Sequence, residues 1–133
     1  MKTHLVYMIE PYYSMVLNEE KLIESRFSKK WHPIINVEAG DVIWWKRSGD
    51  SNIQYRSVVE KIRIYHNLKP ESVQEIKDTY NAWIKASDRF WYSKQYSKYG
   101  GLVWFTSPEK AKFDLSLPVH PCQLGWYTYK AGS

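Results

Sequence analysis

Lys21-Leu22-Ile23-Glu24-Ser25-Arg26-Phe27 sets three charged side chains among apolar ones. An extended chain alternates its faces, so Glu24 and Arg26 share one side while Ile23, Ser25 and Phe27 share the other. Lys21 stands at the entrance to this strand. Opposite charges two residues apart on a half-buried strand admit two explanations. They are either an ion pair at the rim of a sheet or the lining of a polar cleft that receives a ligand.

Working outward, the apolar run Leu5-Val6-Tyr7-Met8-Ile9 predicts a buried strand. Glu10-Pro11 then opens a short helix with Tyr12, Met15 and Val16 on its inner face. Residues 28–39 form a loop, Gly40-Asp41 a turn, and Val42-Ile43-Trp44-Trp45-Lys46 the next strand. After a hairpin turn at residues 48–52, a long strand runs over residues 53–65. Its apolar positions change parity, which predicts a bulge near Val59-Glu60-Lys61. Pro70 begins a helix whose inner face is Val73, Ile76, Tyr80, Trp83 and Ile84, and a shorter helix follows over residues 87–92. Gly100-Gly101 is a turn, and residues 101–106 and 125–129 are the last strands. This order predicts a mainly β, α+β fold: a bent sheet or barrel with two or three flanking helices.

The chain has 133 residues, enough for one domain that buries roughly two thirds of its unfolded surface. Seven Trp and eleven Tyr exceed what such a core requires, so either the core is unusually aromatic or some rings form a recognition surface. Nineteen Lys and Arg against fourteen Asp and Glu leave a net charge of +5, compatible with phosphate-bearing partners. The lone Cys122, between Pro121 and Gln123, excludes a disulfide framework and suits a reducing cytosol. The apolar run before Glu10-Pro11 is too short for a signal-peptide core or a membrane span. A cytoplasmic protein without a membrane association is expected. His4, His32, His66 and His120 are scattered, and His120 with Cys122 lacks further ligands, so no metal and no cofactor are expected.

Lys21, Glu24 and Arg26 match the signature Gly-x-Lys-x-x-Glu-x-Arg, with Glu19 at the glycine position. Val37-x-x-Gly40-Asp41-Val42-Ile43, Lys46-x-Ser48-Gly49, Leu68-x-Pro70 and Ser97-Lys98-Tyr99 before Leu102-Val103-Trp104 follow in order. Taken together, residues 16–105 resemble the ASCH domain of the PUA-like β-barrel superfamily. The resemblance implies one ASCH-type domain over residues 1–133, with a cleft along the Lys-Glu-Arg strand that binds RNA or a nucleoside. A bacterial branch of the superfamily hydrolyses N4-acetylcytidine. Its site is similar at Lys21 but has a nucleophilic Thr where this chain has Glu24; Asp88 is the candidate for its second acid.

Three functions follow. In the first, Lys21 and Arg26 contact phosphate or a base edge of RNA, a nucleoside or a nucleotide, and Glu24 accepts from an exocyclic amine. Trp44 and Trp45 face opposite ways, leaving one for the core and one for stacking on a base. Lys29, Lys30 and Trp31 would track the backbone, with Lys46 and Arg47 a second patch. In the alternative, a metal-independent amidohydrolase of acylated cytidine, Lys21 acts as base or oxyanion donor and Glu24 orients water. The third is a protein-interaction module using exposed aromatics. The residues alone favour the structural ion pair, whereas the resemblance places binding first and catalysis second.

Overall fold

The strand predicted to carry the bulge organises the sheet. In the computed structural model, which describes residues 1–118 and 125–129, β4 (Tyr55–Tyr65) is shared between two neighbours. Its first half pairs antiparallel with β3 (Val42–Arg47), and its second half with β5 (Tyr99–Phe105). The register shifts between Val59 and Lys61, where the strand changes partner. A bulge bends the strand and increases its twist, which turns the sheet through a corner.

The hydrogen-bonded order is β2-β5-β4-β3-β1-β7, with β2 at Ile23–Ser28, β1 at Thr3–Met8 and β7 at Trp126–Tyr129. Only β1 and β3 among these run parallel; a two-residue β6 (Glu109–Lys110) pairs with the start of β4. Three helices flank this curled half-barrel: α1 (Tyr12–Leu17), α2 (Pro70–Ile84) and α3 (Asp88–Lys94). The fold is mainly β with an α+β arrangement, as expected. Among the described residues, no helix is long and apolar enough to cross a membrane. His120 and Cys122 lie outside the described residues.

Alternation along the strands separates three apolar clusters. Val6, Ile43, Trp45, Val59, Val103 and Phe105 fill the concave side. Ile23, Phe27 and Leu102 pack under α2 and α3, against Val73, Ile76, Ile84 and Trp91. Leu5, Trp44, Ile53 and Tyr129 form a third cluster, packed by Phe113 and Leu115. Trp83 departs from the expected inner face of α2 and is exposed, as is Leu22. Ile84 takes the buried place at the end of α2, and the Trp83 carbonyl accepts the Leu22 N–H at 2.8 Å.

Gly100-Gly101 is not a turn: both residues lie inside β5. A Cβ on Gly101 would stand 2.0 Å from Ile34 Cδ1, and one on Gly100 2.5 Å from Phe27 Cδ1. The glycines are there because side chains from β2 and the 28–39 loop lie directly on the strand's backbone. Gly101→Ala should therefore lower stability by about 1–3 kcal/mol, the usual cost of overpacking. In urea denaturation, the double variant with Ile34→Ala should lose less than the two single losses combined.

Candidate functional site

The end of α1 sets up the charged strand. Glu19 adopts φ +60°, the left-handed conformation that favours glycine, and so explains the glycine of the signature at this position. Its carboxylate accepts a hydrogen bond from Ser107. Lys21 follows, 3% exposed, and its Nζ donates to the Ile84 carbonyl at 2.6 Å. An ammonium there meets the negative end of the α2 dipole. On β2, Glu24 is 5% exposed and receives four donors. Lys21 Nζ lies 3.3 Å from Oε1, and the Ser25 N–H donates to the same oxygen at 3.1 Å. Arg26 donates to Oε2 through Nε at 3.2 Å and Nη2 at 2.8 Å. A carboxylate has about four lone-pair positions, so this one is saturated.

Burial alone would raise the Glu24 pKa, but Lys21 and Arg26 hold it below the usual carboxylate range. Burial pushes the Lys21 ammonium down, against the opposing pull of Glu24.

Arg26 also bridges the two ends of the sheet path. Its guanidinium, extending from β2, lies over the Trp126 ring of β7 at 5.4 Å and 3.5 Å from the Tyr7 carbonyl of β1. Behind it runs a buried relay. Trp126 Nε1 donates to His4 Nδ1 at 3.1 Å, which places the histidine proton on Nε2, and Nε2 donates to Asp41 Oδ2 at 2.8 Å. Asp41 further accepts the Lys2 and Glu38 backbone N–H groups at 2.8 and 2.9 Å. The Gly40-Asp41 motif is thereby explained: Gly40 supplies φ +92° for the turn, and Asp41 anchors the relay. Burial holds His4 below its ordinary 6.5 despite the neighbouring carboxylate.

A cavity of about 320 Å³ opens over the three charges. Glu24, Ser25 and Arg26 contribute from β2 and Lys21 from just before it, Tyr7 and Tyr12 from β1 and α1, and Phe90 and Lys94 from α3. Glu24 is the one carboxylate lining it among the described residues. Ser25 Oγ has no hydrogen-bond partner among them, and Lys94 no acidic partner. Lys94 is half-buried, and burial together with Arg26 and Lys29 lowers its pKa.

The other expected contacts fall elsewhere. Trp45 is fully buried on the concave side, with Nε1 donating to Ser57 Oγ at 3.0 Å. Trp44 packs edge-on to Phe113 at 5.2 Å. Neither ring lines the cavity, because both faces of β3 are covered. Lys46 sits over the Tyr7 ring at 4.9 Å, and Arg47 pairs with Asp50 and Glu10. Lys29, Lys30 and Trp31 are exposed outside the cavity. Asp88 pairs with Lys77 at 3.2 Å and is not in the cavity. His32 and His66, read as scattered, meet with Nε2 and Nδ1 2.8 Å apart. No third His, Cys, Asp or Glu completes a metal-ligating group with them among the described residues. The aromatic lining, Tyr7, Tyr12 and Phe90, was absent from the sequence reading. The Phe90-to-Lys94 spacing of four on one short helix was the available signal.

This arrangement of sheet and helices recurs in solved structures. The ASCH protein of Zymomonas mobilis superposes with a TM-score of 0.63 at 11% identity, covering 82% of this chain and 70% of its own. A serine-to-alanine mutant of that protein gives 0.64 over 82% and 70%, again at 11% identity. A tyrosine-to-phenylalanine mutant gives 0.62 over 84% and 76%, also at 11% identity. The chain has the ASCH fold. No family model matches the sequence, and no curated protein does. The likeness between the two ASCH folds is therefore one of backbone rather than of sequence.

Two outcomes follow from the buried charges. Glu24→Ala leaves Lys21 and Arg26 without their shared anion and should cost roughly 3–5 kcal/mol in urea denaturation. Below pH 6.5 the unfolded chain takes up a proton that folded His4 refuses, so stability should decline as pH falls through that point. His32 is also lowered, chiefly by burial, and contributes in the same window. Unfolding free energies at pH 7.5 and about 5.5 should thus differ, and His4→Gln should flatten the difference without abolishing it.

Proposed function

We propose that the cleft binds RNA or a nucleoside, receiving an unstacked base or phosphate beside Lys21, Glu24 and Arg26. The observation that carries this reading is a cavity of about 320 Å³ with aromatic walls around a fixed charge set. That volume lies at the small end of ligand sites. Since Glu24 has no vacant lone pair, its part is to hold Lys21 and Arg26 in place and balance their charge. The Ser25 and Tyr12 hydroxyls and the Lys94 ammonium have no hydrogen-bond partner among the described residues. Lys21 lies 5.8 Å over one face of the Tyr12 ring and Lys94 5.8 Å over one face of the Phe90 ring, leaving the other face of each for a base. Stacking contributes about 1–3 kcal/mol per base.

A second reading has one observation in its favour. Lys21 is desolvated and depressed in pKa, as an amine acting as a base requires, which suits an amidohydrolase of N4-acylated cytidine. Against it, the Lys21 ammonium already serves the Ile84 carbonyl and Glu24.

Filter binding with single-stranded RNA, structured RNA and nucleosides at two salt concentrations tests the first reading. Glu24→Gln and Lys94→Ala should each weaken binding by about tenfold, within the range of one lost charged contact. Absence of binding at low salt, or binding indifferent to both changes, would overturn it. Incubation with N4-acetylcytidine, followed by chromatography for cytidine, tests the second: turnover abolished by Lys21→Met would establish it.

A further inference from the structure

The net charge of the chain is not spread over its surface. Residues 27–37 and 89–108 hold five of the nineteen Lys and Arg and none of the fourteen Asp and Glu. The remaining fourteen cations match the fourteen acids, so the formal +5 resides in these two segments. The fold brings them together at the rim of the cleft. Ser28 pairs with Tyr99 across β2 and β5, and the Ser28 carbonyl accepts the Lys98 N–H at 3.0 Å. Ser28 Oγ accepts the Lys30 N–H at 3.2 Å, fixing the start of the loop. Lys29 lies close enough to Lys94 to lower its pKa.

Lys29, Lys30 and Lys98 are exposed, and none of the three forms an ion pair among the described residues. Elsewhere Lys61 lies over Trp104 at 4.6 Å and Arg47 pairs with two carboxylates, while the exposed Lys69, Lys85, Lys110 and Lys112 stand in stretches that also carry acids, Glu71, Asp88, Glu109 and Asp114. Like charges kept together without acids repel one another and weaken the fold slightly, and a polyanion relieves that repulsion. Two large exposed rings belong to the same two segments, Trp31 at 46% exposure and Tyr96 at 62%. An anionic surface alone would call for the lysines but not for the rings. Alternating cations and aromatic faces leading to a base-sized cavity match a single nucleic-acid strand.

We infer that Lys29, Lys30 and Lys98, with Trp31 and Tyr96, form a track for the strand flanking a nucleotide held in the cleft. The physiological ligand is then a single-stranded oligonucleotide rather than a free nucleoside. This rests on the base-binding reading of the cleft and adds the partner's polymeric nature to it. Lys94, at the cavity wall, joins track and cleft.

The test compares a fluorescein-labelled mixed-sequence RNA dodecamer with the four ribonucleoside 5′-monophosphates, using the full chain between about 50 and 200 mM salt. The dodecamer should bind at least about tenfold tighter than any monophosphate. Replacing Lys29, Lys30 and Lys98 together by Ala should remove that advantage. It should also flatten the slope of log affinity against log salt by about 2, at about 0.7 per phosphate contact. Monophosphate affinity should change by less than about threefold and the thermal midpoint should hold, since the three side chains are exposed and outside the cavity and only Lys29 acts on it, through Lys94. Full dodecamer affinity in the triple variant, or a dodecamer no tighter than a monophosphate, would overturn the track while leaving the cleft standing. Dodecamer binding lost in the triple variant but indifferent to Glu24→Gln would keep the track and remove the cleft. Equal affinity for polyglutamate would refute the nucleic-acid assignment.

Discussion

A buried carboxylate has to be neutralised where it stands, and the architecture around Glu24 follows from that requirement. Taking such a group out of water costs several kcal/mol unless cations and N–H groups replace the lost solvent. Here the two cations that do so come with attachments. Lys21 is tied to the last carbonyl of α2, and Arg26 lies across β1 and β7. One anion thus links a helix end to both ends of the sheet path. Strands β2 and β7 have no backbone pairing with each other, and the guanidinium over the indole spans the gap between them.

The second buried polar set reinforces the first from behind. Asp41, His4 and Trp126 form a directional chain of hydrogen bonds that orients the ring on which Arg26 rests. Two motifs that look functional on the page, the Lys-Glu-Arg strand and the Gly-Asp turn, are therefore also the means by which the half-barrel closes. The cleft is what this closure leaves open. The lining groups without a hydrogen-bond partner among the described residues are the Ser25 and Tyr12 hydroxyls and the Lys94 ammonium, whereas Glu24 is saturated.

Most of the fold was legible because it rests on local periodicity. The parity change along residues 53–65 located the bulge, and the period of 3.6 located α2. The failures have equally local causes. Gly100-Gly101 looked like a turn because glycine is a turn residue, yet Phe27 and Ile34, distant in sequence, require a strand backbone without a Cβ there. Trp44 looked available for stacking because alternation turns it away from Trp45. The residues that cover its face, Phe113 among them, lie some seventy positions downstream.

By itself, the sequence determined the strand that bears the charges, the order of elements and the bulge that bends the sheet, since these depend on neighbours within a few residues. Tertiary structure alone decided which charges meet, which rings line the cleft and where the excess of cations collects. Those outcomes depend on contacts such as Lys21 with Ile84, Arg26 with Trp126 and Ser28 with Lys98. No spacing along the chain encodes such pairs, because the strands that bring them together are joined only through the folded sheet.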